Sequence, residues 1–148
     1  MSCDPYLEQA KNNEQAARSI ERDYPDWVVT MCFYAALHWV EYYACVNGHN
    51  IRKEHPAPSP HESRWNYVFK LAKQLGNRNL LKVYENLENE SKKSRYLKDI
   101  IINAKVLNAK AYYTKEKLRV TQSFQNLQQI RQLLEDELKK SPKGDGNE

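Results

Sequence analysis

The stretch from Asp23 to Gly48, "DYPDWVVTMCFYAALHWVEYYACVNG", decides how the chain folds. Val28, Val29, Met31, Cys32, Phe33, Ala35, Ala36, Leu37, Trp39, Val40, Tyr43, Ala44 and Val46 make it apolar on nearly every side. A helix of that kind belongs in the middle of a bundle, covered by neighbours. Tyr24-Pro25 interrupts whatever precedes it, because the residue before a proline is pushed out of the α region. Gly48 suits a left-handed C-cap. The helix is therefore expected over about Trp27 to Asn47, with Asp26 as cap and Trp27 entering the core.

One stripe breaks the apolar surface. At 100° per residue, Thr30, Tyr34, His38, Glu41 and Cys45 fall within roughly a quarter-turn. Tyr34, His38 and Glu41 are spaced i, i+4, i+7, so their side chains can meet. A Glu beside a His holds the imidazole in one tautomer and keeps it basic. The simpler reading is a polar seam satisfied by a neighbouring helix. A face of a dimer interface is the other alternative.

Outward from this helix the chain continues in the same class. "SCDPYLEQAKNNEQAARSIERDYP" reads as a first helix, with Asp4 as N-cap, Pro5 in the first turn and a thin apolar stripe. "HNIRKEHPAPSPHESR" carries Pro56, Pro58 and Pro60 at alternate positions, so extended, polyproline-like geometry is expected there. Ser59 and Pro60 then open a third helix with an apolar face of Trp65, Val68, Phe69, Ala72 and Leu75, ended by Gly76. A fourth starts near Asn77 with Leu80, Leu81, Val83, Tyr84 and Leu87. Ile100, Ile101 and Ile102 mark a helix end, a kink or an extended piece. A last helix begins around 108–114 and continues to about Lys140, with Val120, Phe124, Leu127, Ile130, Leu134 and Leu138 at helical spacing. The expectation is one all-α domain over residues 1–141, an antiparallel bundle of four to five helices, with a disordered polar tail over 142–148.

Composition excludes several classes. With 148 residues, only 4 Gly and 6 Pro, the chain can bury a core without metal or disulfides. Its longest apolar run falls short of the ~20 residues a bilayer requires, and the polar, acidic N-terminus does not read as a signal peptide. A soluble, cytoplasmic protein without a membrane partner is expected. Cys3, Cys32 and Cys45 are odd in number and lack any Cys-x-x-Cys pair, which argues against a disulfide framework and a zinc site. His49, His55 and His61 surround the Pro-rich segment at spacings that match no metal motif, so neither a metal nor another cofactor is expected.

Charge is unevenly spread. The net +4 hides 14 Lys and Arg against 6 Asp and Glu between His61 and Val120, a local +8. A basic middle with acidic flanks points to a polyanion. Within it, "SKKSRYLKD" sets Lys92, Lys93, Arg95 and Lys98 around Tyr96, a pattern suited to RNA, where cations hold phosphate and an aromatic stacks on an unpaired base. His61 and Arg64 lie on one face at the start of a helix, a reasonable phosphate-binding corner. A solvated Lys-rich helix face would have the same composition. No nucleophile elbow, phosphate-cradling Gly-rich loop or His-Glu-x-x-His motif occurs.

Taken together, "DYPDWVVTMCFYAALHWVEYYA", the Gly48 that follows, His61-Glu-Ser-Arg64 and Ser94-Arg95-Tyr96 resemble the HEPN superfamily, the nucleotide-binding domain of higher eukaryotes and prokaryotes. The most specific part is Trp27 with Phe33-Tyr34-Ala35-Ala36-Leu37-His38, followed downstream by Ser-Arg-Tyr. The resemblance runs from about Asp4 to Leu138. It implies an antiparallel helical bundle, a homodimer and a link to RNA. Many such proteins are metal-independent endoribonucleases, often toxins of toxin–antitoxin or defence systems paired with a nucleotidyltransferase-type protein. Their catalytic signature is Arg, four to six residues, then His. Arg95 stands at the Arg position, but Ile100, Ile101 and Ile102 fill the places where the His would fall. Arg52 is too close to His55 and too far from His61 to replace it. The acid–base group is therefore missing from its usual place.

Three functions follow as expectations. The first is RNA or nucleotide binding, with Arg64, Arg95, Lys92, Lys93 and Tyr96 at the ligand and the usual nuclease motif degraded. The second is a scaffold that docks a nucleotidyltransferase-type protein. The third is a ribonuclease that uses His38 or His61 as a relocated acid–base group.

Overall fold

The computed structural model describes residues 2–140. Within them the elements run α1 (Asp4–Ile20), α2 (Pro25–Val46), α3 (Ile51–Glu54), α4 (Pro60–Leu75), α5 (Arg78–Tyr96), β1 (Ile101–Ile102), β2 (Lys105–Val106), α6 (Ala109–Lys115) and α7 (Lys117–Lys140). The fold is all-α apart from a two-residue hairpin. The expected tail at 142–148 lies outside the described residues.

α2 is the axis of the bundle, packed by α1, α5 and α7 along its length. Val28, Val29, Cys32, Phe33, Ala35, Ala36 and Val40 are fully buried in one cluster with Leu80, Tyr84 and Leu87 of α5 and Leu127, Ile130 and Leu134 of α7. α2 starts at Pro25, whose missing N–H costs nothing in the first turn, and Tyr24 rather than Asp26 takes the N-cap position. Trp27 does not enter the core. It lies half-exposed, at 52 %, on the open side of α2. That side also carries Met31, Tyr34, His38 and Glu41, all at intermediate burial.

The Pro-rich segment is only partly extended. Ile51–Glu54 within it form α3, capped by Asn50, whose side chain accepts from Lys53 N. The three prolines begin only after that turn, so nothing in them forbids it. Ser59 caps α4 by accepting from Glu62 N at 3.2 Å, and Glu62 accepts from the Ser59 hydroxyl in return. Gly76 ends α4 in the left-handed region at φ 63°. The buried face of α4 is Tyr67, Val68, Leu71 and Ala72. Trp65 and Phe69 belong to a stripe beside it and stay at the surface, Phe69 38 % exposed.

Between α5 and α6 the triple-Ile run resolves into three fates. Ile100 is fully buried, while Ile101 pairs with Val106 and Ile102 with Lys105 in the hairpin. Asn103 and Ala104 turn it with φ of 53° and 64°, the two positive values that a tight hairpin turn demands. The last helix is broken at Glu116 into α6 and α7. Tyr113, fully buried on α6, donates to Glu90 Oε1 at 2.6 Å, and Arg119 of α7 donates to Glu90 Oε2 at 2.8 Å. One carboxylate of α5 thus fixes both sides of the break.

The absence of a disulfide is corrected. Because α1 and α2 run antiparallel, the start of one meets the end of the other, and Cys3 is bonded to Cys45 with Cα atoms 5.8 Å apart. The odd count leaves Cys32 free and fully buried. Burial pushes its thiol up to about 12, so it serves as a small apolar side chain.

Candidate functional site

Four residues singled out in the sequence come together where the start of α4 meets the open side of α2 and the end of α5. Arg64 Nε donates to Glu41 Oε2 at 2.8 Å, and Arg64 Nη1 lies 3.5 Å from His61 Nδ1. His38 Nδ1 is 3.3 Å from Glu41 Oε1, near enough for attraction but not aligned for a hydrogen bond. The polar stripe of α2 is therefore a seam closed by an arginine from α4. Burial works against the Glu41 charge. The contacts from His38 and Arg64 outweigh it and hold the carboxyl below its usual range. Arg64 is committed to this pair and is not a free phosphate ligand.

His61 sits over the aromatic shoulder of α2. Its ring centroid is 6.0 Å from that of Phe33 and 6.2 Å from that of Tyr34. Burial, then the positive charges of Arg64, Arg95 and Lys92, hold the imidazole below its ordinary pKa, so it is neutral near pH 7. Three cations converge on one neutral base.

Arg95 arrives from the last turn of α5. Its Nε donates to the buried Ser91 Oγ at 2.9 Å and its Nη1 to Tyr96 Oη at 2.9 Å. The guanidinium carbon lies 4.8 Å from the Tyr96 ring centroid and 5.6 Å from that of Tyr34. No carboxylate pairs with it among the described residues, and Tyr96 is 67 % exposed beside it. His61, Lys92, Arg95 and Tyr96 share an open cleft of about 450 Å³ with Trp65, Glu85 and Glu88. Lys93 is placed elsewhere, with its ammonium 5.8 Å from the Tyr112 ring of α6. His38 is not in the cleft.

Glu88 was not picked out in the sequence, although a signal existed. Glu88, Lys92 and Arg95 repeat on α5 the i, i+4, i+7 spacing that marks Tyr34, His38 and Glu41 on α2. Glu88 is buried, and burial raises its carboxyl above the usual range against the pull of Lys92. Trp65 is a second omission. Its Nε1 donates to Glu85 Oε2 at 2.7 Å, which fixes the indole at the cleft wall.

The arrangement sets two cationic side chains and an exposed aromatic around a neutral base. The guanidinium of Arg95 and the ammonium of Lys92 supply charge and hydrogen-bond donors, Tyr96 supplies a stacking face, and His61 can take up a proton. Among the described residues no group of three His, Cys, Asp or Glu is placed to hold a metal. His49 instead contacts Glu54 at 2.9 Å, and His55 packs on Tyr67.

The fold and site define a helical bundle with an aromatic-rimmed cleft in which Lys92 and Arg95 face Glu62, Glu85 and Glu88. Comparison with protein-family models, with curated proteins and with solved structures gives no match.

Proposed function

We propose that the chain is a HEPN-like protein that binds RNA or a nucleotide through phosphate at the His61–Lys92–Arg95–Tyr96 cleft. The observation that carries this reading is the convergence of Arg95 and Lys92 on His61 beside an exposed tyrosine. The sequence resemblance supports the same ligand. A toxin–antitoxin or defence role would follow from that resemblance. The half-exposed side of α2, with Trp27 at its start, is the face through which a homodimer would form. The cytoplasm is the compartment such a ligand implies, and there the Cys3–Cys45 pair would meet reducing conditions.

Replacing Arg95 by Ala is expected to weaken RNA binding about tenfold or more and to flatten its salt dependence by roughly one phosphate contact. Titrations of wild type and variant at two salt concentrations measure both. Equal affinities with no salt dependence would sink the reading.

A second expectation concerns pH. A phosphate held by Arg95 and Lys92 offsets part of the repulsion that depresses His61, so the bound-state pKa is higher than the free one. Binding then takes up a proton, and affinity rises as pH falls through the bound-state pKa of His61 and levels off below the free-state one. Glu62, Glu85 and Glu88 also face this space, and burial raises Glu88 above the ordinary carboxylate range, so the imidazole is told from the acids by substitution. His61→Asn should remove the slope. A slope that survives this change assigns the proton to another group.

Of the two histidines considered for acid–base chemistry, only His61 shares the cleft with Arg95. RNA cleavage, if measured, is expected to depend on His61 and not on His38. The alternative, a scaffold for a nucleotidyltransferase-type protein, is favoured by the exposed Tyr24 and Trp27 at the start of α2. It predicts stable co-purification with such a protein and no RNA affinity for the chain alone.

A further inference from the structure

The Cys3–Cys45 bond is reachable from solvent. Both cysteines are partly exposed, and they line an open hollow of about 420 Å³ with Tyr6, Glu41, His49 and Arg52. Hollows of ~300–1,000 Å³ hold small molecules. The third cysteine takes no part, because Cys32 is fully buried and burial holds its thiol protonated.

The unpaired charge in the hollow is positive. Glu41 is matched by Arg64 at 2.8 Å, and His49 contacts Glu54 at 2.9 Å. Arg52 donates through Nη1 to Ala57 O and Ser63 Oγ, and it pairs with no carboxylate among the described residues. Its exposed guanidinium therefore attracts an anion that enters the hollow.

The two sulfurs are not equivalent. Cys3 occupies the N-cap position of α1, a helix of 17 residues whose amide end favours a thiolate. Cys45 lies in the last turn of α2, at the carbonyl end, which disfavours one. Asp4 follows Cys3 but is exposed, where water and salt screen its charge. In thiol–disulfide exchange the sulfur with the lower thiol pKa leaves faster. Cys3 is thus the leaving group. Cys45 is the sulfur attacked, and the turn that follows it carries Arg52.

We propose that the Cys3–Cys45 bond is a thiol-exchange site, at which a small thiol bearing a carboxylate becomes joined to Cys45. The thiolate of the small molecule attacks Cys45 Sγ, a new S–S bond forms and the Cys3–Cys45 bond breaks. Its electron pair leaves on Cys3 Sγ as a thiolate. A second thiolate of the same kind then frees Cys45. The protein pair gains two electrons, and the two small thiols end as one symmetrical disulfide. The site lies apart from the His61 cleft and does not depend on what binds there.

The test uses the full oxidised chain and three thiols of different charge: mercaptopropionate, mercaptoethanol and cysteamine. Each rate is measured at equal thiolate concentration and low salt, and divided by the rate of the same thiol with a small neutral disulfide. Acid quenching, alkylation and peptide mass spectrometry locate the adduct. It is expected on Cys45, with Cys3 alkylated and Cys32 untouched. Mercaptopropionate should outrun cysteamine about threefold or more. That preference should shrink in salt, vanish in Arg52→Gln and persist in Arg52→Lys.

An adduct chiefly on Cys3 overturns the proposal. So do equal relative rates for the three thiols, or a charge preference that survives in Arg52→Gln. A rate that climbs with mild urea in step with unfolding shows that the bond is reached only through opening of the fold, and leaves it a purely structural crosslink.

Discussion

Reducing the Cys3–Cys45 disulfide is expected to lower the stability of the protein by about 3–4 kcal/mol. The bond joins residues 42 apart in sequence, and opening a loop of that size returns chain entropy to the unfolded state. The element it anchors has little else of that strength. α1 buries Ala10, Ala17 and the polar Glu14, side chains that remove only modest apolar area from water. Its other anchor is polar. Glu14 accepts from Arg18, from Gln128 at 3.0 Å and from Arg131 at 3.1 Å, which fastens the middle of α1 to α7. The unfolding midpoint should fall by about 10 °C on reduction, at roughly 2–4 °C per kcal/mol for a chain of this length. Cys3→Ser should match the reduced wild type. Hydrogen exchange should find the lost protection concentrated in residues 4–20. A midpoint insensitive to reductant would mean that the bond contributes no net stability.

Phe33→Ala is expected to cost about 3–5 kcal/mol, the range for emptying a buried phenylalanine position. Phe33 is fully buried, with its ring edge-on to Tyr84 at 5.7 Å and to Tyr34 at 5.3 Å. It also backs His61, so the cavity would open behind the imidazole as well as in the core. Water entering there would relieve the burial that depresses His61, and its pKa should move up toward the ordinary value. Chemical denaturation measures the first effect and NMR titration of His61 the second. A large stability loss with an unmoved His61 would show that the cations, rather than the phenylalanine wall, dominate the shift.

The positions of the long helices were legible because their signals are local. Pro25, Ser59-Pro60, Gly48 and Gly76 act within one turn of their own position, and the apolar periods of α5 and α7 need no partner to be read. Misreadings arose where the decision is tertiary. Trp27 is a large apolar residue on an apolar helix, and only the packing of the other helices shows that its side is left open. Trp65 and Phe69 lie on a helix face wide enough to be read as core, yet the buried stripe is centred on Val68 and Leu71. The disulfide was missed because a count of cysteines carries no distance.

The site was half legible. Arg95, Tyr96, Lys92 and His61 each stood out by type and neighbourhood, but sequence could not bring α4 to α5. It also could not tell that Arg64 is bound to Glu41 or that Lys93 turns toward α6. Glu88 was hidden by being one acid among several on an amphipathic helix.

The small hairpin after α5 has a practical consequence. Asn103 and Ala104 turn the chain back at a point whose flanking pair, Ile101 and Val106, is largely exposed. The adjoining Leu107 N donates to Ile100 O at 2.9 Å, which closes the loop at its base. Everything beyond that closure can be lengthened without disturbing the buried Ile100. The turn is thus a natural port in the molecule, a place to graft a fluorophore or an affinity tag a few residues from Tyr96 and the cleft.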